Sequence, residues 1–139
     1  MYQGILHAHS GLRWIVLILI IVNVVNAMGG TKIFTDKDKR LSLFALIATH
    51  TQALLGLYLY YTSPKVQFSE STMSNSMLRF FTMEHTLMML IAIILVTLGN
   101  RWAKKGATKK VFWHYLIALL IILAAIPWPF REMLGGSWF

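Results

Sequence analysis

Four long apolar segments alternate with shorter polar segments along the chain, and this pattern predicts four membrane-spanning helices. The expected spans are about 12–28, 41–61, 77–99 and 111–128. A helix of about 20 apolar residues is long enough to cross the hydrocarbon core of a bilayer. The pattern therefore predicts an all-α fold, with residues 1–139 forming a single integral membrane four-helix bundle of up-down-up-down topology.

Local signals at the segment ends support these boundaries. Gly29–Gly30 is expected to end the first helix, since glycine readily adopts the left-handed conformation found beyond helix C-termini. Thr35 is a candidate N-cap for the second helix, and Asp38 stands three residues later at the position of a capping box. Pro127 is expected to end the fourth, because proline has no N–H to donate into a continuing helix.

The distribution of charge predicts which side of the membrane each loop occupies. The formal net charge is +8, and basic residues concentrate in the segments 29–40 and 100–110. Lys and Arg are enriched in cytoplasmic loops of membrane proteins. Both segments are therefore expected on the cytoplasmic side of the membrane. Both termini and the 62–76 loop are then outside, with Trp138 and Phe139 at the outer interface.

Composition narrows the chemistry further. The chain has no cysteine, which excludes disulfides, thiolate metal sites and iron–sulfur clusters. Once the two basic loops are attributed to topology no basic face remains, so no nucleic-acid partner is expected. The expected partner is the lipid bilayer, together with a larger membrane complex or further copies of the chain. No hydrolase or transferase motif is present, and whether the protein is an enzyme stays open.

Polar side chains inside the apolar segments are the candidates for function, because such residues are costly to insert and usually face a bundle interior. Glu84 and His85 form one such pair. At about 1.5 Å per helical residue, His85 lies roughly 12 Å, His50 roughly 16 Å and His114 roughly 21 Å from the outer face. Glu84 is expected either to stay protonated or to pair with an arginine, Arg13 or Arg79.

Three histidines on inward faces suggest a b-type haem bound between helices, since imidazoles from facing helices are common axial ligands. His50 with His85 is the best matched pair in depth, and His50 with His114 is the second. Arg13 and Arg79 lie near the outer ends of their spans, where a guanidinium can bind a haem propionate. The predicted function is electron transfer by this haem.

Two other functions fit the same residues. The histidines can be purely structural, forming interhelical hydrogen bonds with Thr49, Gln52 or Thr82 in a non-enzymatic subunit or scaffold. Alternatively, an outer-facing metal or proton site can be built from His7, His9, Glu84 and His85.

A stripe of small residues on the second span predicts where two helices approach closely. The stripe consists of Ala45, Thr49, Ala53 and Gly56. Small residues at such spacing allow membrane helices to pack backbone against backbone. A bulky side chain at Gly56 is therefore expected to separate the helices.

Four stretches of the chain resemble those of a family of small bacterial four-helix membrane proteins labelled "cytochrome B". The stretches are HAHSGLRW, LIATHTQALLGLYLYYTSPKV, LRFFTMEHTLMMLIAIILVTLG and FWHYLIALLIILAAIPWPFR, which together cover nearly the whole chain. The resemblance implies a four-helix bundle in the bacterial inner membrane that binds haem b.

Overall fold

Four long helices account for most of the computed structural model, which describes residues 1–138. They are α1 (Tyr2–Ala27), α2 (Asp36–Thr62), α3 (Ser76–Lys104) and α4 (Thr108–Ala125). A short 3₁₀ turn, Glu132–Leu134, follows, and the described part of the chain contains no β-strand. All four helices are long and apolar enough to cross a membrane, which confirms the predicted all-α architecture with four candidate spans.

The helices run alternately up and down around a common core. A hydrogen bond of 3.2 Å between the hydroxyls of Tyr2 and Ser63 joins the start of α1 to the end of α2. At the opposite end, Ser42 near the start of α2 contacts Asn100 near the end of α3. The end that holds residue 1, residues 63–75 and the described segment after α4 is called the terminal end below. The end that holds the loops 28–35 and 105–107 is called the basic end.

The expected helix-end signals are present. Gly29 and Gly30, just beyond α1, have φ values of 88° and 71°, as expected of glycines that end a helix. Thr35 and Asp38 form the predicted capping box, each side chain bonded to the backbone N–H of the other residue. Lys32 adds an ion pair of 3.0 Å to Asp38.

The first helix extends much further than the predicted span. It begins at Tyr2 and not near residue 12, so His9 lies two turns inside α1. Hydropathy identifies the part of a helix that fits a lipid environment, whereas backbone hydrogen bonding decides how far the helix continues. No proline interrupts residues 2–12, and the helix therefore runs through this more polar stretch.

A buried polar network joins helices near the basic end. The Ser42 hydroxyl donates to Asn100 Oδ1 at 3.1 Å and lies 2.6 Å from the hydroxyl of Tyr115. Asn23 of α1 donates from Nδ2 to the carbonyl of Leu41 at 3.2 Å. All four of the polar side chains are buried, and together they connect α1 to α2 and α2 to both α3 and α4.

The segment after α4 folds back over the terminal end. The ring of Trp138 stacks on that of Trp14, with centroids 6.2 Å apart and an angle of 23°. Trp138 also packs edge-on against Trp128. Phe139, expected beside Trp138 at the outer interface, lies outside the described residues.

Candidate functional site: a buried cavity between His9 and His85

A cavity of about 560 Å³ lies within the half of the bundle nearer the terminal end. Residues from all four helices and from the C-terminal segment line it, and most of them are apolar. The polar side chains of its lining include two histidines, His9 and His85, two cations, Arg13 and Lys65, and the side chains of Thr49 and Gln52. A concave, mainly apolar site with a few convergent polar groups, and a volume of about 300–1,000 Å³, is typical of small-molecule binding sites.

His85 is held in a single tautomer by the end of α4. Its Nδ1 lies 2.7 Å from the carbonyl oxygen of Ala125, and a carbonyl oxygen can only accept, so Nδ1 carries the proton. The Ala125 carbonyl is free for this bond because α4 ends at this residue, and the last carbonyls of a helix have no partner within it. The other ring nitrogen, Nε2, therefore keeps an unprotonated lone pair, which is the form that binds metals.

A π-helical turn in α3 precedes His85 directly. It spans Phe80–Glu84, and such wide turns inside α-helices are frequently found at functional sites. The rings of Phe80 and Phe81 lie 5.7 Å and 6.3 Å from the His85 ring. The wide turn rotates the helix after it, and the two aromatic rings restrict the orientation of the imidazole.

His9 faces His85 across the cavity. The two ring centroids are 6.4 Å apart, with an angle of 71° between the ring planes. Gly56 makes room for His9, since a Cβ atom at Gly56 would lie only 3.1 Å from Cε1 of the His9 ring. The small-residue stripe predicted on α2 therefore accommodates an imidazole as well as a neighbouring helix.

Several buried polar atoms around the cavity have no hydrogen-bond partner within the described chain. They are His9 Nδ1, Arg13 Nε, Thr49 Oγ1 and Gln52 Oε1, and all four residues line the cavity. Leaving a buried polar group unpaired costs about 1–3 kcal/mol, so native proteins usually satisfy such groups with a ligand or ordered water. These atoms therefore offer hydrogen-bond donors and acceptors to a ligand or to ordered water in the cavity.

Gln52 also fixes the position of α1 against α2. Its Nε2 donates to the backbone carbonyl of His9 at 2.7 Å. This bond joins the two helices at the level of the cavity and leaves Gln52 Oε1 as a buried acceptor beside His9.

Arg13 is nearly fully buried, with 8% of its surface exposed. Its guanidinium donates to the backbone carbonyls of Ser137 and Trp138 and lies over the ring of Trp128 at 5.9 Å. Arg13 thus lines the cavity, the position expected of a residue that was predicted to bind a haem propionate. Its hydrogen bonds also join the C-terminal segment to α1.

His50, predicted as an axial ligand, does not line the cavity. It lies on an exposed face of α2, where its Nε2 is 3.0 Å from Thr97 Oγ1. The Thr97 hydroxyl donates its own proton to the carbonyl of Ile93, so His50 Nε2 must be the donor in the contact with Thr97. A protonated Nε2 cannot bind a metal, and the structure does not bring His50 together with His85.

His114 and Arg79 also lie outside the cavity. His114 Nδ1 donates to the carbonyl of Lys110 in the preceding turn at 2.7 Å, and its ring lies 6.5 Å from that of Trp102. Arg79 Nε is 2.7 Å from Glu84 Oε1. The ion pair between Glu84 and Arg79, one of the predicted alternatives for Glu84, is confirmed. Both residues line a separate depression on the surface.

The four residues of the alternative outer-facing metal or proton site, His7, His9, Glu84 and His85, do not come together as one group. Within residues 1–138, no group of three or more histidine or carboxylate side chains is arranged to hold a metal ion. His7 is exposed, Glu84 is paired with Arg79, and only His9 and His85 come together.

The sequence analysis considered His9 only for an outer-facing metal or proton site and Gln52 only as a hydrogen-bond partner of a histidine, and it placed neither in an internal cavity. A signal for the inward position of His9 was available. The buried face of α1 includes Arg13, Val16, Leu17 and Ile20. His9 precedes Arg13 by four residues, so the two side chains lie on the same face of the helix. The predicted span began near residue 12, so His9 was not treated as part of this helix.

The fold and cavity define a helical bundle with four candidate membrane spans and a histidine-lined internal site. Comparisons with protein-family models, with curated proteins and with solved structures find no match to the chain.

Gly56→Leu should destabilise the bundle and displace His9, because the new side chain would occupy the space of the imidazole. The measurement is the thermal unfolding midpoint in detergent. Ile94→Leu is the control, since Ile94 is 58% exposed on the surface of α3. Equal midpoints for both variants would contradict close packing at Gly56.

Proposed function

We propose that the protein is a multi-pass membrane cytochrome that binds one b-type haem between His9 and His85 and transfers electrons. One observation carries the proposal: two imidazoles face each other at 6.4 Å inside a buried cavity. The haem expected from the sequence is retained, but the ligand pair that the geometry favours is His9 with His85, in place of His50 with His85.

The donor set fits a haem iron. In a site with two imidazoles, each ligating nitrogen lies about 2 Å from the metal, and adding the ring radii places the centroids about 6 Å apart. The distance of 6.4 Å between His9 and His85 agrees with this value. The apolar walls suit a porphyrin, and the Arg13 guanidinium supplies a cation suited to an anionic propionate.

Each residue of the site then has a specific role. His85 offers Nε2, and the Ala125 carbonyl that accepts from its Nδ1 raises the basicity of the ligand. Gln52 holds the backbone of His9 in place. The surrounding apolar side chains exclude water from the pair. Bound haem supplies one-electron exchange at its iron.

An optical spectrum of the purified protein, reduced against oxidised, tests the proposal. Expression with ample haem should yield a coloured protein with the bands of a low-spin b-type cytochrome. A colourless wild-type protein would leave the second candidate, a non-enzymatic membrane subunit or scaffold. Its specific support is that His50 and His114 already form structural hydrogen bonds.

We further propose that the basic end faces the cytoplasm of a bacterial cell and that the terminal end lies outside the inner membrane. The support is the concentration of Lys and Arg in segments 29–40 and 100–110. The lipid bilayer is then the main partner, and further copies of the chain or a larger complex can cover its exposed apolar surface.

The absence of cysteine makes this orientation simple to test. Single variants Lys37→Cys and Ser71→Cys place a thiol at exposed positions near opposite ends of the bundle. An impermeant maleimide added to intact spheroplasts should label Ser71→Cys, while Lys37→Cys should react only after lysis. The reverse pattern would show that the orientation is inverted.

A further inference from the structure

The cavity opens sideways between α2 and α3. Three of its lining residues, Leu54, Leu57 and Leu90, are also exposed on the outer surface of the bundle, at 69%, 54% and 54%. They belong to two neighbouring helices, so the cavity is open to the lateral surface of the bundle between α2 and α3. Nearer the terminal end, Tyr61, Gly135 and Ser137 also line the cavity and are exposed. These three leucines are called the window below.

Two hydrogen bonds between α2 and α3 frame the window. Toward the basic end, His50 donates to Thr97 at 3.0 Å. Toward the terminal end, the Tyr60 hydroxyl donates to the carbonyl of Thr82 at 3.1 Å. The ten residues from His50 to Tyr60 span about 15 Å of helix, and no side-chain hydrogen bond in the described chain joins the two helices between these points.

The C-terminal segment covers the cavity at the terminal end without sealing it. Pro127, Gly136 and Ser137 line it there, and Gly136 packs so closely that a Cβ atom would lie 1.7 Å from the Pro127 carbonyl oxygen. Arg13 and Trp14 hold this segment by donating to its backbone carbonyls. A ligand that came from the aqueous side would enter past these contacts, and loosening them should then make its entry faster.

We propose that the haem enters the cavity from the hydrocarbon layer of the membrane, through the window. This inference rests on the proposed function. The window is entirely apolar, so it suits a planar amphiphile dissolved in lipid and opposes hydrated, charged solutes. The polar groups that orient the ligand, among them His9 and Gln52, lie inside the cavity, where they act after entry.

The test measures haem uptake by the full-length protein in lipid vesicles. Haem is supplied in a second population of vesicles, and the growth of the Soret band is followed by stopped-flow absorbance. Leu54→Trp and Leu90→Trp narrow the window and should slow uptake by roughly tenfold, equivalent to about 1.4 kcal/mol in the barrier. The final amount of bound haem is recorded for each variant and uptake rates are compared relative to it, so that slower entry is distinguished from a smaller site.

Two controls separate the window from the opposite route. Ile94→Trp adds the same bulk to an exposed position of α3 that does not line the cavity, and its rate should equal that of the wild type. Trp14→Ala removes the stacking and the hydrogen bond that hold Trp138, and it should not accelerate uptake.

Normal rates in both window variants, or faster uptake by Trp14→Ala alone, would overturn the lateral route while leaving haem binding intact. The lateral route would also be overturned if Ile94→Trp slowed uptake as much as the window variants do. Equilibrium spectra recorded first keep the two proposals distinguishable: a wild-type protein that never binds haem refutes the proposed function, and the entry route with it.

Discussion

His85→Ala should abolish the haem spectrum of the purified protein, and His9→Ala should weaken haem binding by about a hundredfold or more. His85 is the better organised ligand, since the Ala125 carbonyl fixes its tautomer and the π-helical turn fixes its orientation. His9 faces it at 6.4 Å across the cavity. Titration of the apoprotein with haem, followed at the Soret band, measures both effects.

His50→Ala and His114→Ala are the matched controls, since both remove a histidine from a candidate span without touching the cavity. Each should bind haem with the affinity of the wild type. Loss of the spectrum in His50→Ala but not in His9→Ala would restore the pairing of His50 with His85 expected from depth alone.

A conservative variant separates iron ligation from a merely structural role. His85→Met keeps a side chain that can ligate haem iron, and exchange of His for Met raises the reduction potential of a cytochrome. The variant should therefore bind haem with a more positive midpoint potential, measured by redox titration. A haem-bound His85→Met protein with an unchanged potential would show that His85 is not a ligand.

Tyr115→Ala should lower the free energy of unfolding by about 3–5 kcal/mol, the usual cost of truncating a large buried aromatic side chain. The Tyr115 ring is fully buried, and Gly99 has no side chain where the ring lies. Its hydroxyl lies 2.6 Å from that of Ser42. Reversible unfolding in mixed micelles, titrated with a denaturing detergent, provides the measurement.

Tyr115→Phe isolates the hydrogen bond from the packing. Interhelical hydrogen bonds in membrane proteins average about 0.6 kcal/mol and reach about 1.7 kcal/mol, so this variant should lose no more than that. Trp113→Ala is the control, because Trp113 lies on the same helix with 51% of its surface exposed. A loss in Trp113→Ala as large as in Tyr115→Ala would contradict a core that is centred on Tyr115.

The number, type and order of the helices were predictable from the sequence. An apolar segment of sufficient length determines its own preference for a helical span, and the capping box at Thr35 and Asp38 was readable because its partners lie three residues apart. Charge in the two basic segments predicted a common side for both. All of these signals are local, because each depends on residues that lie close together in the sequence.

The pairing of histidines was not predictable in the same way. Depth along the bundle places His50 and His85 close together, but depth gives no information on how each helix is rotated about its axis. Packing of α2 against α1 turns Gly56 and Gln52 toward His9, which leaves His50 on an exposed face beside Thr97.

Four apolar helices, their caps and the positions of the candidate polar residues can all be derived from the amino-acid sequence. Which of those residues meet depends on how the helices pack. The tautomer of His85 depends on a carbonyl 40 residues away, and the network of Ser42, Asn100 and Tyr115 joins three helices. Such contacts depend on helix rotation and crossing, which the packing of all side chains sets together and no single segment encodes.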